Sequence, residues 1–158
     1  MANITLTFFN EIHRDALNAF YLPQEQEKFT AMPSDALKKC EKDRGRHPVV
    51  IEENGNTVGF FVLHIGENIG DFTANPNAMV IRALSINHPQ QGKGYAKEAM
   101  LQLPLFVSKH FPEVNELILA VNFKNDPAKK LYEKVGFVDR GQIKHGPVGP
   151  QYVLHFDV

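Results

Sequence analysis

The 158-residue sequence predicts an α/β (α+β) fold, a single domain built on a mixed β-sheet. Three observations predict it: short apolar runs with strand character, helical patterns between the later runs, and a glycine-rich turn that joins a strand to a helix. Hydrophobic residues make up 43% of the chain, enough to bury a core of ordinary size. No internal repeat or domain boundary interrupts the pattern, so the predicted domain covers residues 1–158.

The first half of the chain predicts a strand, two helices and a β-hairpin. Residues 4–8 alternate apolar side chains with threonines, which is typical of a strand with one buried face. Asn10 can cap the first helix, and the second begins at Pro33 and ends at Gly45. Asn54-Gly55 then separates two apolar runs, the usual signature of a hairpin turn.

The second half predicts further strands and helices around the glycine-rich turn. A strand at 79–86 is followed by a helix from Tyr95 to about His110 and a strand at 116–121. The next helix is capped by Asp126, begins at Pro127 and ends at Gly136. Two closing strands, at 137–143 and 151–158, flank the turn-rich stretch 145–150. The strand at 79–86 is the fourth, and the strand at 116–121 is the fifth.

Composition excludes several classes of function. The formal net charge of −1 argues against a general nucleic-acid binder and against a membrane-surface binder. Cys40 is the single cysteine, so no intramolecular disulfide can form, and residues 1–6 lack the pattern of a signal peptide. Both observations predict a cytoplasmic location. No set of His, Cys, Asp and Glu has metal-ligand spacing, so we expect no metal.

The turn Gln91-Gly92-Lys93-Gly94-Tyr95-Ala96 predicts an anion site. Free backbone N–H groups and the helix dipole attract phosphate to a helix start. The two glycines let the backbone approach a ligand closely, and Lys93 adds a cation. The alternative is a glycine-rich helix start that binds no ligand.

Two common phosphate-binding motifs do not fit this turn. A P-loop needs Ser or Thr after its Gly-Lys pair, but Gly94 follows Lys93. A dinucleotide fingerprint needs a third glycine where this chain has Lys97.

Gln91, Gly94 and Ala96 match the pattern Gln/Arg-x-x-Gly-x-Gly/Ala of the GNAT superfamily of N-acetyltransferases. Residues 125–137, with Leu-Tyr-Glu-Lys-Val-Gly-Phe at their end, resemble the second signature of that superfamily. The two signatures occur in the right order and at about the right separation. The chain therefore resembles a GNAT N-acetyltransferase.

The resemblance implies a mixed sheet with helices on both faces, in which the parallel fourth and fifth strands splay apart. The pantetheine arm of acetyl-CoA, the expected co-substrate, would enter that gap and pair with the backbone of the fourth strand, while the pyrophosphate would bind the turn. The implied cofactor-binding residues are Leu84, Ser85, Ile86, Gln91, Gly92, Lys93, Gly94, Tyr95, Ala96 and Asn125.

Tyr132 matches the tyrosine that in many family members protonates the departing CoA thiolate. Because the ordinary pKa is ~10 for a tyrosine and ~8.5 for a thiol, the phenol stays protonated at neutral pH and can donate. Helical periodicity alone favours a core tyrosine, because Ala128, Leu131 and Val135 form an apolar stripe beside it. The resemblance favours a catalytic role.

The acceptor that the resemblance implies is an amine of a small molecule or peptide. An alkylamine has a pKa of ~10.4, so a base, a water relay or desolvation must assist its deprotonation. Many relatives place a glutamate near the start of the fourth strand, where this chain has Val80, Ile81 and Arg82. Arg82 has two open interpretations: a solvent-facing position, or one that points into the acceptor cleft.

Four carboxylates are other candidate bases. They are Glu25 and Glu27 in the early loop (residues 21–32), and Glu67 and Asp71 in the connection before the fourth strand (residues 66–77).

The expected function is acetyl transfer from acetyl-CoA to an amine by direct attack in a ternary complex. No nucleophile for a covalent acetyl-enzyme stands out in the sequence. The alternative function is a non-catalytic CoA-binding or sensory module with the same fold. A different acyl donor and a homodimer stay open.

Overall fold

A computed structural model describes residues 3–158, in which seven strands form one mixed sheet. Met1 and Ala2, which the predicted domain includes, lie outside the described residues. The strands are β1 (Ile4–Phe8), β2 (Arg46–Glu53), β3 (Asn56–His64), β4 (Ala78–Ile86), β5 (Glu116–Asn122), β6 (Val138–Gly146) and β7 (Gly149–Asp157). Their order across the sheet is β1-β2-β3-β4-β5-β7-β6, with β4 and β5 parallel and the other neighbours antiparallel.

Five α-helices cover the two faces of this sheet. They are α1 (Arg14–Asn18), α2 (Gln24–Glu27), α3 (Pro33–Lys42), α4 (Tyr95–His110) and α5 (Asp126–Lys134). The larger core cluster packs α4 and α5 against one face, through residues such as Leu103 and Leu117. On the other face, Leu17 of α1 and Leu37 of α3 pack against Phe60. The predicted fold class, with helices on both faces, is confirmed.

Two predicted helix ends are wrong by a few residues. Helix α3 ends at Lys42 rather than Gly45, because Asp43 is extended and its carboxylate accepts a hydrogen bond from the Gly45 amide at 2.9 Å. Helix α5 is capped by Asn125 rather than Asp126, because the carbonyl of Asn125 accepts the first helical hydrogen bond.

The two hairpins differ in how well the sequence predicts them. The predicted β2–β3 hairpin is confirmed, and Asn54 and Gly55 both have positive φ angles, of 50° and 86°, as a tight hairpin turn requires. The β6–β7 hairpin is longer than predicted. Gly146 pairs with Gly149, so Pro147 and Val148 alone form the turn.

The parallel strands β4 and β5 pair over only three residues and then separate. The last pair is Val80 with Ile118, whereas β5 continues to pair with β7 as far as Asn122. β4 instead follows β3 through a bulge at Ala83, which has a positive φ of 57°. The splayed strands that the resemblance implies are confirmed, and the gap between them interrupts the sheet at its centre.

Leu103 and Leu105 of α4 provide a matched test of this packing. Leu103 is fully buried (0% exposed) in the larger core, whereas Leu105 is 78% exposed. We expect Leu103→Ala to lower the free energy of unfolding by about 2–5 kcal/mol, since it leaves a cavity. Leu105→Ala should change it by less than about 0.5 kcal/mol. Urea unfolding curves measure both, and equal effects would contradict this orientation of α4.

Candidate functional site

A cleft of about 820 Å³ occupies the gap between β4 and β5 and passes from one face of the sheet to the other. On the α4 and α5 face it is bordered by Tyr95 and Leu131, and on the opposite face by Phe29 and Thr30. The predicted site residues that line it are Leu84, Ser85, Ile86, Gln91, Gly92, Gly94, Tyr95, Ala96, Asn125 and Tyr132. Ten residues from three separate segments, the end of β4, the glycine-rich turn with the start of α4, and α5 with its cap, therefore meet at one cleft.

Lys93 is the one predicted site residue that does not line the cleft. Its ammonium group donates to the side-chain oxygen of Gln90 at 3.2 Å. Lys93 is exposed and adds positive charge at the rim of the cleft rather than in its wall.

The glycine-rich turn presents a row of unpaired backbone donors to the cleft. Gly92 and Gly94 have φ angles of 79° and 81°, a conformation that suits glycine. Among the described residues, no backbone or side-chain oxygen accepts a hydrogen bond from the amides of residues 92–97. A Cβ atom added at either glycine would meet nothing within 4 Å, so open space lies in front of the turn. The start of α4 thus forms a concave site suited to an anion.

Gln91 turns its side chain inward and holds this turn in place. Its amide nitrogen donates to the Ile86 carbonyl at 2.9 Å and to the side-chain oxygen of Gln26 at 2.8 Å. Gln26 donates back to Gln91 at 3.1 Å. The pair joins α2 to the end of β4, and the sequence offers no local sign of it.

β4 borders the cleft beyond its last pair with β5. The Ser85 hydroxyl is buried there and has no hydrogen-bond partner among the described residues. Its oxygen is shielded from solvent, so Ser85 borders the cleft through its other atoms. The Thr30 hydroxyl donates to the Leu84 carbonyl at 3.3 Å, which brings the early loop onto the same strand.

Asn125 borders the cleft where α5 begins. Its side-chain amide makes no hydrogen bond with any described residue, although its backbone carbonyl accepts from Lys129 at 3.2 Å. The amide group is therefore available to a ligand.

Tyr132 packs on the core and also borders the cleft. The half-buried ring lies edge-on to Phe137, with 6.0 Å between the ring centroids. Burial raises the pKa of Tyr132 above the ordinary value of a tyrosine. The phenol therefore keeps its proton at neutral pH and could donate it to a group in the cleft.

Glu25 is the only carboxylate that lines the cleft among the described residues. The other candidate bases, Glu27, Glu67 and Asp71, lie outside its wall. A smaller pocket of about 210 Å³ adjoins it between the early loop and the β6–β7 turn, where Phe29 and Val148 face it.

Arg82 takes part in a polar network that neither of its interpretations included. Its Nε donates to Nδ1 of His64 at 2.9 Å, and Nε2 of His64 lies 2.9 Å from Asp43. Burial, and next the charge of Arg82, lower the pKa of His64, so the ring is neutral and its Nε2–H donates to Asp43. Hydrogen bonds from Gly45 and then Asn68 lower the pKa of Asp43 to about 2.

Residues 3–158 contain neither a cluster of metal-binding side chains nor a membrane-spanning helix. No three His, Cys, Asp or Glu side chains are arranged to hold a metal ion. No helix is long and apolar enough to cross a membrane.

Residues 9–137 match the acetyltransferase (GNAT) family. The chain is 43% identical over 154 residues to the uncharacterized N-acetyltransferase YbbJ of Bacillus subtilis (strain 168), covering 97% of this chain and 96% of that protein. It is 29% identical over 110 residues to the SPbeta prophage-derived uncharacterized N-acetyltransferase YokL of the same strain, covering 68% of this chain and 55% of YokL.

Solved structures share the fold at low sequence identity. The aminoglycoside acetyltransferase AAC(6')-Ib, in complex with coenzyme A and kanamycin, superposes with a TM-score of 0.79 at 21% identity, covering 98% of this chain and 95% of that one. An uncharacterized protein (bh2621) from Bacillus halodurans gives a TM-score of 0.81 at 13% identity, covering 99% and 84%.

Proposed function

The chain belongs to the acetyltransferase (GNAT) family, and from this premise we propose that it transfers an acetyl group from acetyl-CoA to the amine of a small molecule or peptide. The observation that carries the proposal is the cleft between β4 and β5, which has unpaired backbone donors at one end and the Tyr132 phenol in its wall. Anion binding and proton donation are two of the tasks that this reaction asks of the protein.

The amides of residues 92–97 bind the pyrophosphate of the co-substrate. They point from the start of a 16-residue helix, so the helix dipole adds to their attraction for phosphate. Gly92 and Gly94 leave room for close approach, and Lys93 at the rim adds a cation. A fold relative solved with coenzyme A supports this assignment.

The backbone of Leu84, Ser85 and Ile86 binds the pantetheine amides. These residues lie beyond Val80, where β5 no longer pairs with β4, so an extended ligand can add to the strand edge. The side-chain amide of Asn125, which makes no hydrogen bond with any described residue, supplies a further polar contact.

Acetyl-CoA supplies a thioester-activated acetyl group when it is bound. Tyr132, which keeps its proton, then serves as the general acid for the leaving sulfur. No cysteine or histidine lies among the described residues of the cleft wall, and the Thr30 and Ser85 hydroxyls therefore lack a histidine to activate them there. This supports direct attack by the amine in a ternary complex.

The acceptor amine enters from the face opposite Tyr132, near Phe29 and the β6–β7 turn. Glu25, or a water molecule that it holds, takes the proton from the amine, since β4 has no carboxylate at this point. The small pocket beside Val148 gives room for the body of the acceptor.

The absent carboxylate on β4 favours one alternative, a CoA-binding or sensory module without catalysis. Calorimetric titration with acetyl-CoA, combined with a CoA-release assay over a panel of amines and peptides, separates the two functions. Binding together with CoA release supports the transferase. Binding without release across the panel supports the sensory module.

Tyr132→Phe tests the general acid. We expect kcat to fall by about 10²-fold while the affinity for acetyl-CoA is unchanged, because only the donated proton is lost. Tyr152→Phe is the matched control, since Tyr152 stacks on Phe123 at 4.1 Å and does not line the cleft. A folded Tyr132→Phe protein with the wild-type kcat and pH–rate profile would contradict the role.

Gly94→Asp tests the phosphate site. The carboxylate would stand in the open space before the turn and repel the pyrophosphate, so we expect acetyl-CoA affinity to drop by about 10²-fold or more. Gly141→Asp is the control, because Gly141 has a similar φ of 88° and also faces open space, but lies on edge strand β6. Calorimetry measures both affinities. Equal loss in the two variants would point to backbone strain rather than to a phosphate site.

A further inference from the structure

Arg82 stands where the sheet opens. It lies two residues beyond Val80, the last residue of β4 that pairs with β5, and directly before the bulge at Ala83. Both of its chain neighbours, Ile81 and Ala83, line the cleft. Arg82 itself does not line the cleft, but a group bound at the opening would lie close to this residue.

The side chain of Arg82 lies on the face of the sheet opposite Tyr132. Val80 packs on that face with Phe72 in the third core cluster, and side chains two residues apart on a strand share a face. The Arg82 guanidinium lies 4.9 Å from the centroid of the Phe72 ring. Tyr132 packs with the core cluster of α4 on the other face. Arg82 thus faces the side from which the acceptor approaches.

The guanidinium is held at one nitrogen and free at the others. Its Nε donates to His64, which is fully buried and bound in turn to Asp43. Among the described residues, its two terminal nitrogens make no hydrogen bond, and no carboxylate lies within 4 Å of the group. The network fixes the plane of the guanidinium and leaves its two-pronged end free, the arrangement that binds a carboxylate through two parallel hydrogen bonds.

A second cation, Lys144, contacts the same Phe72 ring as Arg82. The Lys144 ammonium is 5.1 Å from the centroid of the same Phe72 ring, and no described carboxylate lies within 4 Å of it. The acidic charges that act on Arg82 are those of Asp43, which Arg46 already pairs at 3.5 Å, and of Asp71. Burial lowers the pKa of Arg82 to about 10, so it remains charged at neutral pH but poorly hydrated. A bound anion would compensate for that lost hydration.

We infer that the acceptor is an amine that also carries a carboxylate, and that Arg82 binds this carboxylate and so selects the substrate. The inference rests on the proposed N-acetyltransferase function and narrows its acceptor. His64 and Asp43 are positioning residues, because they act by orienting Arg82.

Matched pairs of acceptors test the inference. Free amino acids and dipeptides are compared with their primary carboxamides, which keep the amine and replace the charge. For the wild-type protein we expect kcat/KM to be about 10- to 100-fold higher for the preferred acid than for its amide. This is the rate difference that corresponds to the free energy of hydrogen bonds to a charged group. In Arg82→Gln this ratio should fall to about 1, and Arg82→Lys should keep an intermediate ratio.

The ratio remains informative if Arg82→Gln is less stable. Both kcat/KM values in a ratio are measured on one protein preparation, so a fraction of inactive protein lowers both equally and leaves the ratio unchanged. Arg44→Gln makes the same chemical change at an exposed position and should leave the ratio at its wild-type value.

Two results would overturn the inference while leaving the proposed function intact: equal kcat/KM for acids and amides in the wild type, or an unchanged ratio in Arg82→Gln. A failure to release CoA with every amine, acid or amide, would instead count against the transferase function, and the acceptor assignment would fall with it.

Discussion

β4 and β5 pair through three residues and then diverge, and the candidate site depends on this separation. A parallel sheet normally satisfies its backbone groups by continuous pairing, so an open edge at the centre of a sheet is costly without a partner. β5 is held in place on its other edge by pairing with β7 as far as Asn122, and β4 by pairing with β3 through the bulge at Ala83, so the backbone groups that face the gap stay open to the cleft. The cleft lies between two strands, each of which is hydrogen-bonded to its other neighbour in the sheet.

The separation also gives the two faces of the sheet different chemistry. On the α4 and α5 face, the cleft meets a helix start with unpaired amides and a phenol that keeps its proton. On the opposite face it meets α2, the early loop and, next to its wall, the half-buried guanidinium of Arg82. Neutral donors suit a phosphate ester on one face, while a fixed cation suits an anionic group on the other.

Local sequence signals predicted the elements well because their causes are local. Asn54-Gly55 predicts a tight hairpin turn because both residues tolerate positive φ, and the two glycines at 92 and 94 predict a helix start that a ligand can approach. The errors lie at element ends, as at Lys42 and Asn125, where side-chain and backbone hydrogen bonds decide the last residue. The β6–β7 turn is shorter than its composition suggests because strand pairing continues into it.

The sequence by itself determined the family, the order of the strands and helices along the chain, and ten of the residues that meet at the cleft, since these follow from short patterns and two signatures. Only the tertiary structure decided which side chains support that cleft. Gln26 and Gln91 are 65 positions apart, and Asp43, His64 and Arg82 come from three separate segments. Such contacts leave no periodic trace in the chain, because they arise where distant segments pack against the same sheet and bury polar groups that must find partners.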